Sequence, residues 1–197
     1  MIVKTGRFGQ FTASDAEIIR IPHGVMGFPE LTEFCLVDPG DETLILWLQS
    51  LQNPGVAFPM LEPKIFRADY AARLSAAELR DLKLENINQS AVFSILTIPA
   101  DITQMTANLK APLVINLKEQ IARQVVLQEN EYTIKTPMFK ELKQHLVTIA
   151  AQKRGPHSSA GPAMPETATD SEGTAATITP ISIRNIPPSL TVRSLQA

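Results

Sequence analysis

The sequence predicts a mainly β fold, namely a compact antiparallel β-barrel-like domain with a few short helices and a disordered C-terminal tail. At least seven short strand-like runs, separated by turns rich in Gly and Pro, precede residue 129. Helical patterns are few and short. From residue 151 the composition shifts to Ala, Pro, Ser, Thr and Gly without periodicity, so too little apolar surface is available to offset the ordering entropy. We therefore expect a barrel domain over 1–150 and a low-complexity, mostly disordered tail over 151–197.

The strand-like runs share a high content of β-branched and aromatic residues. In chain order they are MIVKT, RFGQFTA, EIIRI, FCLVD, LILWLQSL, VAFPML, SAVFSILTI, MTANLKAPLVIN and ARQVVLQ. The first two runs predict a hairpin. The run LILWLQSL is continuously apolar but too short for a typical helix, which favours a strand buried on both faces, with Trp47 in the core.

Three segments carry helix signals. PELTEF, after Gly27, predicts a single helical turn. Ser75 followed three residues later by Glu78 forms a capping box, in which each side chain satisfies a backbone N–H at the helix start. Leu142, Leu146 and Ile149 form an apolar stripe at helical spacing and predict a helix over 138–151.

The stretch MTANLKAPLVINLKEQ, residues 105–120, alternates between apolar and polar residues. The odd positions from Ala107 to Leu117 are apolar, whereas Asn108, Lys110 and Asn116 occupy even positions. Pro112 cannot donate to a strand ladder, so it belongs at an edge or a bulge. The pattern predicts one bent barrel strand with its odd positions in the core and its polar even positions in water. Alternatively, the proline leaves backbone groups unpaired beside a binding surface.

Composition and charge exclude several functional classes. The chain has a net charge of −2, and residues 1–150 carry 14 Lys and Arg against 17 Asp and Glu, net −3. A bulk electrostatic attraction to nucleic acid or an anionic membrane is therefore not expected. No apolar run approaches the roughly 20 residues of a membrane span, and no signal peptide is recognisable. These features predict a cytoplasmic protein.

The sequence offers little catalytic or metal-binding chemistry. His23, His145 and His157 have no metal-ligand spacing, and the single cysteine, Cys35, lies in an apolar run typical of a buried side chain. GVMGF lacks the Lys-Ser/Thr ending of a phosphate loop, so its glycines are expected to serve a tight turn. We predict no catalytic residues, no cofactor and no metal, hence no enzyme.

Five segments together resemble the FliW family of flagellar assembly factors. They are RFGQF (7–11), IPHGVMGF (21–28), LWLQSLQNPGVAFPMLEP (46–63), LTIPADITQMTANLKAPLVIN (96–116) and QVVLQENEYTIKTPMF (124–139). MTANLKAPLVIN followed by QVVL carries the strongest likeness. The resemblance covers the chain up to about Phe139, and the extension after Arg154 is not part of it.

The resemblance implies a barrel-like fold and a function in binding other proteins. Members of the family hold flagellin in the cytoplasm before export. When freed, they bind the RNA-binding translational repressor CsrA and antagonise it, so that flagellin synthesis is coupled to export. A domain of net −3 suits a basic partner, because opposite potentials raise the association rate.

Two kinds of residue are candidate protein-binding contacts. Acidic candidates lie in the turn DPGDE and in QENE, and they are Asp38, Asp41, Glu42, Glu129 and Glu131. A chaperone for flagellin also needs an accessible apolar patch, for which Met105 and Leu109 beside Asn108 are candidates. Ordinary solvated loops and, for Leu109, a core position are the alternative interpretations.

The sequence leaves two other classes of function open. An RNA-binding β-barrel needs basic residues interleaved with exposed aromatic residues, and the chain has only one Trp and two Tyr. RNA binding that weakens with salt would support it. A flavin-type split-barrel enzyme rests on strand number alone, and a yellow colour on purification would reveal it.

Limited proteolysis tests the predicted boundary. Cleavage is expected after Lys153 or Arg154, where the apolar stripe ends and Pro/Gly composition begins, leaving a resistant core over 1–150. The fragments are identified by mass spectrometry. A tail as resistant to cleavage as the core contradicts the boundary.

Overall fold

Twelve strands and two α-helices make up the part of the chain that the structure describes. The computed structural model describes residues 1–40, 44–153 and 179–180. The strands are β1 Ile2–Lys4, β2 Gln10–Thr12, β3 Ile18–Arg20, β4 Glu33–Asp38, β5 Leu46–Ser50, β6 Ala57–Leu61, β7 Ala91–Thr97, β8 Thr106–Ala107, β9 Leu113–Asn116, β10 Ile121–Gln124, β11 Thr136–Pro137 and β12 Thr179–Pro180. The helices are α1 Ala76–Asp81 and α2 Phe139–Lys153.

Seven strands close into a barrel in the order β7-β6-β5-β4-β3-β10-β9, and β9 returns to pair with β7. Neighbouring strands are antiparallel, except that β3 and β10 run parallel where Arg20 faces Ile121. At this junction the Arg20 N–H donates to the Gln120 carbonyl at 2.8 Å. The predicted mainly β, barrel-like fold is confirmed.

Side chains fill both faces of the barrel wall. The interior cluster contains Phe34, Leu48, Met60, Phe93 and Ile115, all fully buried, so the barrel is a packed core and not a channel. A second apolar cluster covers the outside of the wall and joins it to the β1–β2 hairpin, α2 and the connecting loops.

The wall strand β5 is buried along its whole length, from Leu46 to Ser50. This confirms the interpretation of LILWLQSL as a strand with two covered faces. Trp47 lies in the outer cluster, where its ring meets Phe8 edge to face at a centroid distance of 5.6 Å. The Arg7 guanidinium lies 4.1 Å from the same ring centroid, which is a cation–π contact.

The stretch predicted as one bent strand is two strands, which is a correction. β8 pairs with the end of β7, Ala107 opposite Leu96, whereas β9 pairs with its beginning, Leu113 opposite Phe93. Five residues of the stretch therefore face two residues of β7. We call residues 108–112 the bulge segment. The predicted position of Pro112 at a bulge is confirmed.

Asn116 was predicted to face water and is instead 4% exposed, so this prediction is wrong. Its side-chain amide donates to the carbonyls of Leu82 and Lys83, at 2.9 and 3.2 Å, just after α1. Its carbonyl oxygen accepts the N–H groups of Lys118 and Glu119 in the turn toward β10. The alternation rule failed here because both faces of the barrel wall are covered, so a polar residue can be buried on the outer face if its hydrogen bonds are made.

The helix predictions have mixed outcomes. The capping box at the start of α1 is confirmed, since Ser75 Oγ accepts the Glu78 N–H at 3.3 Å and the Glu78 carboxylate accepts the Ser75 N–H at 2.7 Å. α2 is also confirmed, with Leu142 buried and Leu146 half-buried; the side chain of Ile149 lies outside the described residues. The helical turn predicted for PELTEF is wrong, since the segment is a non-helical turn that leads into β4 and extends the backbone so that Phe34 packs inside the barrel.

Most of the predicted disordered tail lies outside the described residues. Within it, Thr179 and Pro180 form β12, which pairs antiparallel with Asp38 and Val37 at the end of β4. This end extends beyond the register of β3, whose pairing with β4 stops at Cys35. No helix among the described residues has the length and hydropathy that crossing a membrane requires.

Asn116→Ala is expected to destabilise the domain by about 2–4 kcal/mol, because it leaves several buried backbone groups without a partner at about 1–3 kcal/mol each. Urea unfolding followed by tryptophan fluorescence measures the change. Asn130→Ala, at an exposed position, is the matched control and should change stability by less than about 0.5 kcal/mol. Equal stability of both variants contradicts the structural role of Asn116.

Candidate functional site

The bulge segment and the loop 128–135 form one continuous region beside β7. The Leu109 and Lys110 N–H groups both donate to the Thr133 carbonyl, at 3.0 and 3.2 Å. The Lys110 ammonium donates to the Glu129 carbonyl at 2.8 Å. The structure thus brings together the predicted residues on 105–109 and those in QENE, whereas β4, which carries Asp38, lies three strands away from β7.

Most backbone groups of the bulge segment are bonded in spite of Pro112. The Pro112 carbonyl accepts the Val125 N–H at 2.9 Å, and the Lys110 carbonyl accepts the Leu127 N–H at 2.9 Å. The Leu109 carbonyl accepts the Tyr70 hydroxyl at 3.0 Å. The alternative that the proline leaves unpaired groups for a partner is therefore wrong for these carbonyls.

Asn108, predicted to face water, is half-buried and holds the bulge. Its N–H donates to the Ile95 carbonyl at 2.9 Å. Its side-chain oxygen accepts the Ala111 N–H at 2.9 Å and so supplies the partner that a regular ladder would have provided.

Met105 and Leu109 do not form an exposed apolar patch, which corrects the second part of that prediction. They are 6% and 1% exposed and belong to the outer core cluster. Leu109 lies in the bulge segment, where its N–H bonds to Thr133 of the loop 128–135. Met105 precedes β8 and adjoins the start of α2, where the Met138 N–H donates to the Met105 carbonyl at 3.3 Å.

The acidic candidates differ in their surroundings. Asp38 is exposed and its carboxylate accepts the Gly40 N–H at 2.8 Å, while Asp41 and Glu42 lie outside the described residues. Glu131 is exposed. Glu129 is mostly buried and lies 4.0 Å from the Arg73 side chain, so its charge is partly balanced within the chain.

Gln124 joins three of the segments that carry the family resemblance, and sequence reasoning missed it. Its side-chain oxygen accepts the Met26 N–H at 2.9 Å, and its amide nitrogen donates to the Ala111 carbonyl at 3.0 Å. Together with His23 and Arg123 it lines a cavity of about 300 Å³. The signal was present in the sequence, because PHGVMG, the bulge segment and QVVL all belong to the resemblance.

The turn PHGVMG needs its first glycine. Gly24 has a φ of +63°, and a Cβ there would lie 2.3 Å from the Phe28 carbonyl oxygen. The interpretation of these glycines as turn residues is confirmed. The same turn leaves Met26 exposed next to Gln124.

Three isoleucines on the outer side of β7 and β8 are exposed and were not singled out from the sequence. Ile98 directly follows β7, Ile102 lies in a short helix before β8, and Ile134 precedes β11. Ile102 and Ile134 are 53% and 65% exposed. These residues flank β7, β8 and β11, which are consecutive neighbours in the sheet, and we call them the outer isoleucines.

Within the described part of the chain, the structure shows neither a reactive thiol nor a metal site; His157 lies outside it. Cys35 is fully buried in the wall of the barrel, and burial, with a smaller effect of the Glu17 charge, raises the pKa of its thiol to about 12. The thiol is therefore neutral at physiological pH and behaves as a small apolar group. Across residues 1–40 and 44–153, no three His, Cys, Asp or Glu side chains come together as a metal site.

The fold and this region define a small, filled β-barrel protein whose polar groups mainly support its own loops. The model of the FliW protein family matches residues 2–138. The flagellar assembly factor FliW of Bdellovibrio bacteriovorus is 43% identical over 147 residues, which cover 75% of this chain and 84% of that protein. The factor of Caldanaerobacter subterraneus is 35% identical over 144 residues, 73% of this chain and 96% of that protein.

A solved structure agrees with the sequence comparison. The crystal structure of a flagellar assembly factor FliW superposes with a TM-score of 0.66 at 30% identity, and the match covers 71% of this chain and 97% of that one. The chain belongs to the FliW family of flagellar assembly factors.

Asn108→Ala is expected to cost about 1–3 kcal/mol, because the half-buried Ala111 N–H loses its acceptor. Asn108→Asp keeps an acceptor oxygen at the same position and should recover most of the stability. Chemical unfolding of the three proteins gives the comparison. If the Ala and Asp variants are equally stable, the hydrogen bond to Ala111 is not what Asn108 contributes.

Proposed function

We propose that the protein acts by binding two partners in the cytoplasm. It holds flagellin before export, and once freed it binds CsrA and antagonises translational repression, so that flagellin synthesis follows export. The observation that carries the proposal is the match of residues 2–138 to the FliW family, together with relatives that are themselves flagellar assembly factors. The role is one of binding and not of catalysis.

The outer isoleucines support the flagellin part of the proposal. A protein that protects unassembled subunits needs apolar surface that is open to solvent. Ile98, Ile102 and Ile134 provide such surface next to the neighbouring strands β7, β8 and β11, whereas the predicted Met105 and Leu109 are buried. The net charge of −3 over residues 1–150 supports the CsrA part, since an RNA-binding repressor carries a basic surface.

The arrangement of aromatic residues disfavours the RNA-binding alternative. Trp47, Tyr70 and Tyr132 are all buried, and the Trp47 ring is covered by the Arg7 guanidinium. Bases of single-stranded RNA stack on exposed aromatic faces, which these three side chains do not offer.

The partner switch is tested with purified flagellin and CsrA by isothermal titration calorimetry on the full chain. Binding of each protein alone is expected, and saturation with flagellin should reduce the heat of CsrA binding. Absence of binding to both proteins would reject the proposal.

Variants of the outer isoleucines test the flagellin surface. Ile102→Asp combined with Ile134→Asp should weaken flagellin binding by about tenfold or more, since charges would enter an apolar contact. Ile2→Asp, at an exposed isoleucine of the N-terminal hairpin, is the matched control. Flagellin affinities that stay equal in both variants would place its site elsewhere.

A further inference from the structure

Glu62 carries a buried carboxylate oxygen that has no hydrogen-bond partner within the described residues. The residue follows β6 directly and is only 7% exposed. Glu62 belongs neither to the bulge segment, nor to the turn at Gly24, nor to the outer isoleucines. Leaving an ionisable group buried without a partner is costly, so such a group calls for an explanation.

The carboxyl group lines a cavity of about 130 Å³ that is partly open to solvent. Apolar side chains form its walls, among them Ile87, which precedes β7, and Val92, which lies in β7. The Tyr70 ring closes another side, and its hydroxyl is already bonded to the Leu109 carbonyl at 3.0 Å. Glu62, whose buried Oε2 has no partner among the described residues, therefore borders a cavity with mostly apolar and aromatic walls.

The protein itself does not neutralise this carboxylate through an ion pair. Lys64 also lines the cavity, yet no Lys or Arg nitrogen of residues 1–40 and 44–148 lies within 4.0 Å of a Glu62 oxygen. Burial raises the pKa of the Glu62 carboxyl above its ordinary value, and the positive charge of Lys64 opposes this only in part. Ionisation is thus disfavoured while the cavity is empty, and a cation entering it would favour the charged form.

We propose that this cavity is a binding pocket for an arginine side chain presented by a protein partner. A guanidinium donates a charge-assisted hydrogen bond to a carboxylate oxygen, its methylene stem packs on apolar walls, and its plane stacks on an aromatic ring. Glu62, the wall residues Ile87 and Val92, and Tyr70 supply these three elements. The pocket rests on the proposed function in one respect, namely that the arginine belongs to one of the two proposed partners.

A small-molecule probe tests the pocket independently of any partner. N-acetyl-arginine amide is titrated into the ¹⁵N-labelled full chain, and shifts are expected in the amide signals of Ala71, Ala72, Asn88 and Val92, which line the cavity. N-acetyl-citrulline amide, which has nearly the same shape but no charge, should bind at least about tenfold more weakly. Equal shifts with both probes, or none at these amides, would overturn the proposal.

Glu62→Gln provides the matching variant, because it keeps the shape and removes the charge. It should weaken binding of N-acetyl-arginine amide by about tenfold, whereas Glu30→Gln, at an exposed position, should leave it unchanged. Thermal unfolding checks that Glu62→Gln is folded; if it is not, the citrulline comparison on the native chain decides.

The same two variants separate the pocket from the proposed function. Calorimetry with purified flagellin and CsrA should show one affinity reduced in Glu62→Gln and neither reduced in Glu30→Gln. If the arginine probe binds but both protein affinities stay unchanged, the assignment of the pocket to these partners is wrong while the partner switch still stands. If neither protein binds the native chain, the proposed function fails and the probe result still reports on the pocket.

Discussion

Closure of the barrel depends on one constraint, the satisfaction of backbone hydrogen bonds where the chain leaves β8 and enters β9. A single strand, β7, pairs with β6 along one edge and with both β8 and β9 along the other. The bulge segment between them would expose polar backbone groups in a region packed on both faces, which costs free energy for every unpaired group. Asn108, Tyr70 and Gln124 supply side-chain partners in place of a ladder, so the strand can bend without this cost.

Pro112 fits this constraint because it lies in the bulge segment, between the pairings of β8 and β9 with β7, so its missing N–H interrupts neither pairing. Its carbonyl still accepts the Val125 N–H, which continues the pairing of β9 with β10 by one further bond. The local rule that bars proline from a central strand and the global need for a bend therefore agree. A consistent answer at both levels is what favours a single native state.

Much of the fold could be predicted from the sequence, because the dominant signals are local. Turn residues and β-branched runs located the wall strands from β3 to β7, and the Ser75 capping box located α1. Which side chains of a strand face solvent could not be predicted as well. Alternation of apolar and polar residues predicts facing only where one face of the sheet is exposed to solvent, whereas here the outer cluster covers the barrel wall. Asn116 is therefore buried, and its four hydrogen bonds join residues distant in sequence or in a tight turn.

The candidate site was harder to predict for the same reason. The sequence around Met105 and Leu109 predicts apolar contacts, yet both side chains are buried. The segments that adjoin them are distant in sequence, Thr133 beside Leu109 and Met138 beside Met105. The family motifs did mark the region, since Gln124 connects three of them, but no motif distinguishes a residue that supports a loop from one that touches a partner. That distinction depends on where each side-chain polar atom finds its bond.

Polar atoms that find no bond within the chain are therefore the informative ones. Tyr70 lines the Glu62 cavity, and its hydroxyl donates a hydrogen bond to the Leu109 carbonyl. This bond to the bulge segment fixes the position of the Tyr70 side chain. Glu62 Oε2 has no hydrogen-bond partner among the described residues, and Glu62 lines the same cavity as Tyr70. The hydrogen bonds that close the barrel thus also shape one wall of the cavity, and a ligand there would meet a surface that is organised before it binds.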